Sequence, residues 1–183
     1  LRVTALLHQT GRLEDFAETL ARQDFGQAAR RIEIDAGHIG RALAFLAAMP
    51  GYPGFPLRLR LDDRRIASGD TLTGTIEGIG EGIGEGAVLD LLLVDDEGRV
   101  QQISQFLERD GGTARFALPL TLSGRPVETA QLLIALALPA ALIHTQDGDG
   151  AAADGFFDAL ADALATKGLT GAFAVAPVFV GAR

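Results

Sequence analysis

The side chains best suited to nucleophilic, acid–base or metal chemistry are three histidines and the serines that could partner them. These residues are His8, His38, His144, Ser68, Ser104 and Ser123. No histidine has a second one at the spacing of metal-binding motifs, and no serine lies in a Gly-x-Ser-x-Gly elbow. Triads can assemble from distant segments, so a dispersed site stays open. The pattern nevertheless favours a chain without catalytic residues.

Two carboxylate clusters, Asp62-Asp63 and Asp95-Asp96-Glu97, are the other candidates for chemistry. Paired acids in different environments can serve as general acid and general base. Both clusters follow predicted strands, at positions where turns commonly carry solvated acids. We therefore interpret them as turn residues and keep a hydrolase that uses them as an alternative function.

The segment Asp147-Gly148-Asp149-Gly150 is similar to the start of a calcium-binding loop. The third acidic ligand of such a loop would fall at Ala151, and the glycine is misplaced. The chain has no cysteine, which excludes disulfides and thiolate zinc sites. We expect no metal and no cofactor, and we interpret the segment as a polar loop ahead of a helix capped by Asp154.

A glycine-rich tetrapeptide, Gly78-Ile79-Gly80-Glu81, is repeated directly as Gly82-Ile83-Gly84-Glu85. Its glycine spacing differs from that of the dinucleotide-binding fingerprint, and no Gly-Lys-Ser/Thr follows. The segment joins two predicted strands, so no helix N-terminus is there to receive a phosphate. We predict a mobile hairpin loop over Gly78 to Gly86.

The overall charge and composition limit the classes of partner. The 183 residues carry a formal net charge of -8, and nearly half of them are hydrophobic. The absence of a Lys and Arg cluster argues against a nucleic-acid-binding surface and against a surface for anionic membranes, so we expect no nucleic-acid partner. The longest apolar run, Leu132 to Ile143, is interrupted by Pro139 and predicts a buried strand, so we expect no membrane insertion. The chain begins at Leu1, and we expect it to be a fragment or a processed form.

The periodicity of apolar residues changes along the chain. Residues 1–49 predict a small strand–helix–strand–helix unit, with Leu1–Leu7 and Arg31–Asp35 as its strands. Residues 50–56 contain three prolines and predict a linker and domain boundary, pinned by Tyr52 and Phe55. Residues 57–183 predict an antiparallel β-sandwich with one packed helix, so the fold class is α+β.

Alternating residues define the strands of the second unit. Predicted strands cover residues 57–61, 71–76, 88–94, 100–106, 115–122, 131–138 and 172–180. Residues 88–106 predict a hairpin closed by Asp95-Asp96-Glu97-Gly98, and Pro119 indicates an edge strand. The late helix buries Phe156, Phe157, Leu160 and Leu164, exposes Asp158 and Asp162, and ends at Lys167-Gly168.

Two turn motifs carry a resemblance to known domains. Ser68-Gly69-Asp70-Thr71-Leu72 introduces a strand, and Asp95-Asp96-Glu97-Gly98-Arg99-Val100 turns a hairpin. With the apolar strand Leu132–Leu138, the helix Phe156–Ala165 and the closing Val178-Phe179-Val180, residues 57–183 resemble a bacterial domain of unknown function. That domain is found C-terminal to serine/threonine kinases and caspase-like peptidases. Residues 1–49 resemble a BON-type module of envelope proteins.

These resemblances supply no catalytic residues, and they imply a non-enzymatic role. We expect a sensory, binding or scaffolding module of a larger bacterial signalling or envelope protein. The sequence leaves its compartment open, and the envelope resemblance favours a periplasmic or other extracytoplasmic location. Its partner is expected to be a protein or an upstream domain of the same chain. A carbohydrate-binding sandwich is a further alternative, which the single tyrosine and the absence of tryptophan disfavour.

Overall fold

The structure is a computed structural model, and it describes residues 38–52, 54–84, 86–122, 128–141 and 150–181. The predicted strands and helix within residues 1–37 lie outside the described residues. The helices are α1 (His38–Ala48) and α2 (Ala153–Lys167), and a short 3-10 helix covers Ser104–Phe106. The strands are β1 (Arg58–Leu61), β2 (Arg65–Ala67), β3 (Thr71–Glu77), β4 (Val88–Val94), β5 (Arg99–Gln102), β6 (Leu107–Asp110), β7 (Thr113–Pro119), β8 (Thr129–Leu138), β9 (Ala151–Ala152) and β10 (Ala172–Gly181).

The described strands form two sheets packed face to face. One sheet has four strands in the order β1-β3-β7-β6, and the other has six in the order β2-β10-β8-β4-β5-β9. All pairs are antiparallel except β2 with β10, which is parallel. The predicted α+β class and sandwich architecture are therefore confirmed.

Strand β8 lies at the centre of the larger sheet and is buried on both faces. It pairs with β10 on one side and β4 on the other, so Ile134 faces Val175 across one ladder and Leu92 across the other. Every residue from Gln131 to Leu138 is buried. This confirms the central strand that the continuous apolar run predicts, because a strand covered on both faces has no solvated side.

Alternation along the strands of the larger sheet separates two cores. Leu133 and Leu91 face the four-stranded sheet and belong to what we call the sandwich core. Ile134 and Leu92 face the opposite way and contribute to the helix-side core, which α1 and α2 cover. The protein therefore has three layers, with the six-stranded sheet in the middle.

Helix α2 buries the predicted face, which consists of Phe156, Phe157, Leu160 and Leu164, and exposes Asp158 and Asp162. It ends as predicted at Gly168, whose left-handed φ of 59° lets its N–H reach the carbonyls of Ala165 and Leu164. The predicted cap is wrong, because Ala152 occupies the N-cap position and no side chain caps the helix. Asp154 lies instead in the first turn, 3.7 Å from Arg41 of α1.

Helix α1 packs against α2 at the helix-side core. Ile39, Ala42, Phe45 and Leu46 are its buried residues, whereas Ala47, predicted on that face, is exposed. The Phe45 ring lies 5.4 Å from the rings of Phe157 and Phe173. After α1, Phe55 contacts Phe173 at 5.4 Å and Tyr52 at 6.3 Å. The domain boundary at residues 50–56 stays a prediction.

Two predicted strands differ from those observed by more than two residues at one end. The strand over 100–106 ends at Gln102, because the chain then turns into the 3-10 helix and places Ile103 in the sandwich core. The strand over 115–122 runs from Thr113 to Pro119 and lies inside its sheet, so the predicted edge position is wrong. Pro119 is tolerated because β6 pairs only as far as Phe116, leaving the proline a neighbouring strand on one side alone.

The predicted hairpin loop over Gly78 to Gly86 is wrong. Its flanking strands, β3 and β4, lie in different sheets, so the segment crosses from one layer to the other. Ile79 is buried in the sandwich core, and its N–H donates to the Gly112 carbonyl at 3.1 Å. Ile83 packs against the same core from a half-buried position. The repeat thus supplies two apolar anchors for the crossing.

Replacing Ile79 with alanine should destabilise the fold by about 2–4 kcal/mol, because the substitution leaves a cavity in the sandwich core. The same replacement at Ile83, which is half-buried, is the matched control and should cost clearly less. Denaturant unfolding of both variants measures the difference. Equal and small losses at both positions would contradict the packed crossing and return the segment to a mobile loop.

Within the described part of the chain, neither helix is both long and apolar enough to cross a bilayer.

Candidate functional site

The two sheets part at one end of the sandwich and leave a cavity of about 360 Å³. It lies where β4 and β7 end and β8 begins. Its lining is formed by Leu93, Asp95, Asp96, Gln101, Gln102, Ile103, Gln105, Phe106, Leu118, Pro119, Leu120, Thr121 and Gln131. We call this space the end cavity.

Strand alternation explains why the end cavity has an apolar floor and a polar rim. Leu93 on β4 and Leu118 on β7 point into the sandwich core from opposite sheets. Gln131 shares the face of Leu133 on β8, two residues nearer to the strand start, because side chains on one face recur every second residue. The rim adds the carboxylates of the β4–β5 turn and the amides that follow it.

Gln131 is the polar side chain most deeply placed in the end cavity. The residue is only 5% exposed, and its Oε1 has no hydrogen-bond partner among the described residues. A buried polar atom without a partner costs about 1–3 kcal/mol. Thr129 Oγ1, on the same face of β8, is likewise buried without a partner, although Thr129 does not line the cavity. Buried polar atoms normally have a hydrogen-bond partner, so an unpartnered amide on a residue that lines a cavity is a candidate for contact with a ligand.

Asp95 organises the β4–β5 turn. Its Oδ1 accepts hydrogen bonds from the backbone N–H groups of Glu97 and Arg99, at 3.0 and 2.8 Å. Its Oδ2 accepts from Gln101 Nε2 at 2.8 Å. Both carboxylate oxygens therefore have structural partners, as expected for the first residue of an Asx turn.

Asp96 differs from Asp95 in having no such role. It is half-buried, it lines the end cavity, and it forms no hydrogen bond or ion pair with any described residue. The neighbouring Glu97 is exposed and lies 3.8 Å from Arg99. Of the predicted carboxylate cluster, Asp96 alone is both in the cavity and unengaged within the described chain.

The other predicted carboxylate cluster is not part of the end cavity. Asp62 and Asp63 follow β1 and are exposed. Asp62 accepts a short hydrogen bond from the Thr73 hydroxyl, and its backbone N–H donates to the Thr73 carbonyl at 3.1 Å. The structure therefore does not bring the two clusters together around this cavity.

The serine hydroxyls that the structure describes serve as partners of the backbone. Ser68 Oγ accepts from the N–H of Leu122 at 2.9 Å. Ser104 Oγ accepts from the N–H of Leu91 at 3.0 Å and lies 3.3 Å from Oδ1 of Asp90, a buried carboxylate that also receives Gln102 Nε2. This network fixes the 3-10 helix against β4. Ser123 lies outside the described residues.

Of the remaining predicted candidates, His8, His144 and residues 147–149 lie outside the described residues, as does the side chain of His38. Gly150, which is described, donates its N–H to the Val100 carbonyl and accepts from Arg99 Nη1. Across the described part of the chain, no group of three His, Cys, Asp or Glu side chains could hold a metal ion.

Comparisons with known proteins leave the site to be interpreted from its geometry. No model of a protein family matches the chain, and no curated protein matches it.

A second depression lies between the edge of β1 and β10. It measures about 400 Å³ and includes Tyr52, Phe55 and Val175, two of which are the exposed large apolar residues of the described chain. Its lining lacks the buried, unpartnered polar group that marks the end cavity. The ring contacts of Phe55 with Tyr52 and Phe173 account for its shape.

Proposed function

We propose that this chain is a non-enzymatic binding module whose ligand or partner group enters the end cavity. The observation that carries the proposal is the buried Oε1 of Gln131, which has no hydrogen-bond partner among the described residues and belongs to a side chain that lines the end cavity. Loops and strand ends at such an end are where rigid β-scaffolds present binding groups.

The chemistry of the described lining supports binding over hydrolysis. A hydrolase needs a general base or a nucleophile that is free to react. Both carboxylate oxygens of Asp95 already accept hydrogen bonds, one from backbone N–H groups of its own turn and the other from Gln101. Asp96 is a single carboxylate next to amides and apolar side chains. Such a lining fixes the orientation of a bound group through a few polar contacts.

We base the wider role on the sequence resemblance of residues 57–183, whose most specific pieces are the turn motifs of residues 68–72 and 95–100. On this resemblance, the proposal extends to a module of a larger bacterial signalling or envelope protein, with a protein or an upstream domain as partner.

The proposed function is tested by closing the mouth of the end cavity. Thr121 is an exposed lining residue, so Thr121→Trp should fill the opening while leaving the core intact. Thr113→Trp is the matched control, because Thr113 is exposed at the opposite end of β7 and does not line the cavity. Amide chemical shifts are recorded while a library of small polar fragments is added.

Fragments that bind should shift the amides of the cavity lining in the parent and in Thr113→Trp, and these shifts should vanish in Thr121→Trp. The proposal is overturned if no fragment shifts these amides in the parent, or if the same shifts persist after the mouth is filled.

A further inference from the structure

We infer that the end cavity takes an alkyl chain ending in a hydrogen-bond-donating cation, an ammonium or a guanidinium. The inference rests on the proposed function and names the class of ligand for the same site. Three features of the lining support it. They are the unpartnered acceptor oxygen of Gln131, the negative charge of the lining and the apolar residues at its floor.

The unpartnered oxygen of Gln131 requires a hydrogen-bond donor. Gln131 Oε1 is a carbonyl oxygen, so it can only accept a hydrogen bond, and none of the described residues supplies one. A carboxylate or phosphate ligand would bring another acceptor, so the free-energy cost of the unpartnered Gln131 oxygen would remain. An N–H or O–H donor is therefore the complementary group.

The charge of the lining selects a cation among donors. The described lining includes Asp95 and Asp96 and contains no Lys or Arg. Asp96 is half-buried and has no partner among the described residues, so an incoming cation would give it an ion pair that no described residue supplies. Hydrogen bonds that involve an ionised group are roughly twice as strong as neutral ones.

The floor of the end cavity suits an alkyl stem. Leu93 and Leu118 belong to the sandwich core and line the cavity from different sheets, and Phe106 and Leu120 are further apolar lining residues. Cationic side chains bury a stem of three or four methylenes along such surfaces while the charged head meets polar groups. The cavity volume of about 360 Å³ is large enough for such a chain.

The charge of the ligand is tested with a series of equal length. Pentylamine, 1-pentanol and pentanoate differ mainly in the charge and donor capacity of the head group. Titrations followed by the amide shifts of the cavity lining should give saturable binding for pentylamine, with affinity at least tenfold above that for 1-pentanol and no binding of pentanoate. Binding should weaken as salt is added, because rim charges are screened.

The roles of Gln131 and Asp96 are tested with variants that lower or raise the expected affinity for pentylamine. Gln131→Leu removes the acceptor and should reduce pentylamine affinity about tenfold, whereas Gln131→Glu adds a carboxylate and should raise it. Asp96→Asn should also reduce affinity about tenfold. Asp63→Asn is its control, since it removes the same charge from an exposed turn outside the cavity and should leave affinity unchanged.

Two sources of such a cation are distinguished in the same experiment. Agmatine and pentylamine represent free amines, and Nα-acetyl-lysine amide and Nα-acetyl-arginine amide represent side chains of a protein partner. Tighter binding of the blocked amino acids assigns the site to a protein side chain, and tighter binding of the free amines assigns it to a small molecule. Either result supports the cation.

The failures of the two claims are separable. If 1-pentanol or other neutral fragments bind the end cavity as well as pentylamine, the cationic ligand is wrong and the binding function stands. If pentanoate binds best, the assignment of charge is reversed. If no ligand shifts the cavity amides, both claims fail, and Gln131 Oε1 is met by water alone.

Discussion

Leu133→Asp is expected to abolish folding. Leu133 is fully buried on the inner face of β8, between the two sheets. An unpaired carboxylate placed there costs several kcal/mol, which is comparable with the whole stability of about 5–15 kcal/mol of an ordinary domain. Ile134→Asp should have the same result, because Ile134 lies on the opposite face under the helices.

Val175→Asp is the control for these variants. Val175 pairs directly with Ile134 across the β8–β10 ladder, yet it is 36% exposed. The carboxylate introduced by the substitution therefore stays solvated, and the variant should fold. Circular dichroism during thermal unfolding measures all three. A cooperative transition retained by Leu133→Asp would mean that the inner face of β8 contacts solvent, and the sandwich would then be wrong.

The second large effect is expected for Gly74→Ala, which should lower the free energy of unfolding by several kcal/mol. Gly74 lies in β3, opposite Leu61 of β1 and Phe116 of β7. A Cβ atom at this position would lie 2.4 Å from the Arg60 carbonyl oxygen and 2.6 Å from Cζ of Phe116. The first contact is with backbone, so β1 must shift from its neighbour before the methyl group fits.

The same substitution at Gly155 should act in the opposite direction. Gly155 is exposed in α2, and a Cβ there meets nothing within 4 Å. Gly155→Ala should stabilise the protein by roughly 0.5 kcal/mol, because alanine loses less backbone entropy in a helix. Chemical denaturation compares the two. Equal effects of both alanines would contradict the close approach of β1 and β7 around Gly74.

The elements that the sequence predicted well are those whose burial pattern is local. The continuous apolar run of residues 132–138 predicted a strand covered on both faces, and that is observed. The spacing of Phe156, Phe157, Leu160 and Leu164 likewise defined the inner face of α2. In both cases the hydrophobic pattern follows directly from the period of the element.

Strand pairing was harder to predict, because periodicity does not say which strands meet. Two strands joined by a glycine-rich segment suggest a hairpin, yet β3 and β4 belong to different sheets. The buried Ile79 and half-buried Ile83 of that segment were the available signal, since a solvated loop has little use for two isoleucines. The prediction of the N-cap of α2 was wrong for a related reason. The Ala153 N–H donates to the Gly98 carbonyl, a partner distant in sequence.

The candidate site shows the same limit. The sequence placed Asp95 and Asp96 correctly in a turn, but residue type alone does not separate the structural Asp95 from the unengaged Asp96. Gln131 was hidden inside a predicted apolar strand. A glutamine at an inward position of such a strand was the one signal available, and its missing partner becomes visible only when β7 and the β4–β5 turn are in place.

The most direct test of the central claim follows the side-chain amide group of Gln131 itself. Its two N–H resonances are assigned by comparison with Gln131→Leu and recorded while pentylamine is added. We predict saturable shifts of this side chain together with the backbone amides of the end cavity, and no such shifts when Thr121→Trp fills the mouth. Unchanged Gln131 resonances at a pentylamine concentration that shifts amides elsewhere in the protein would contradict it.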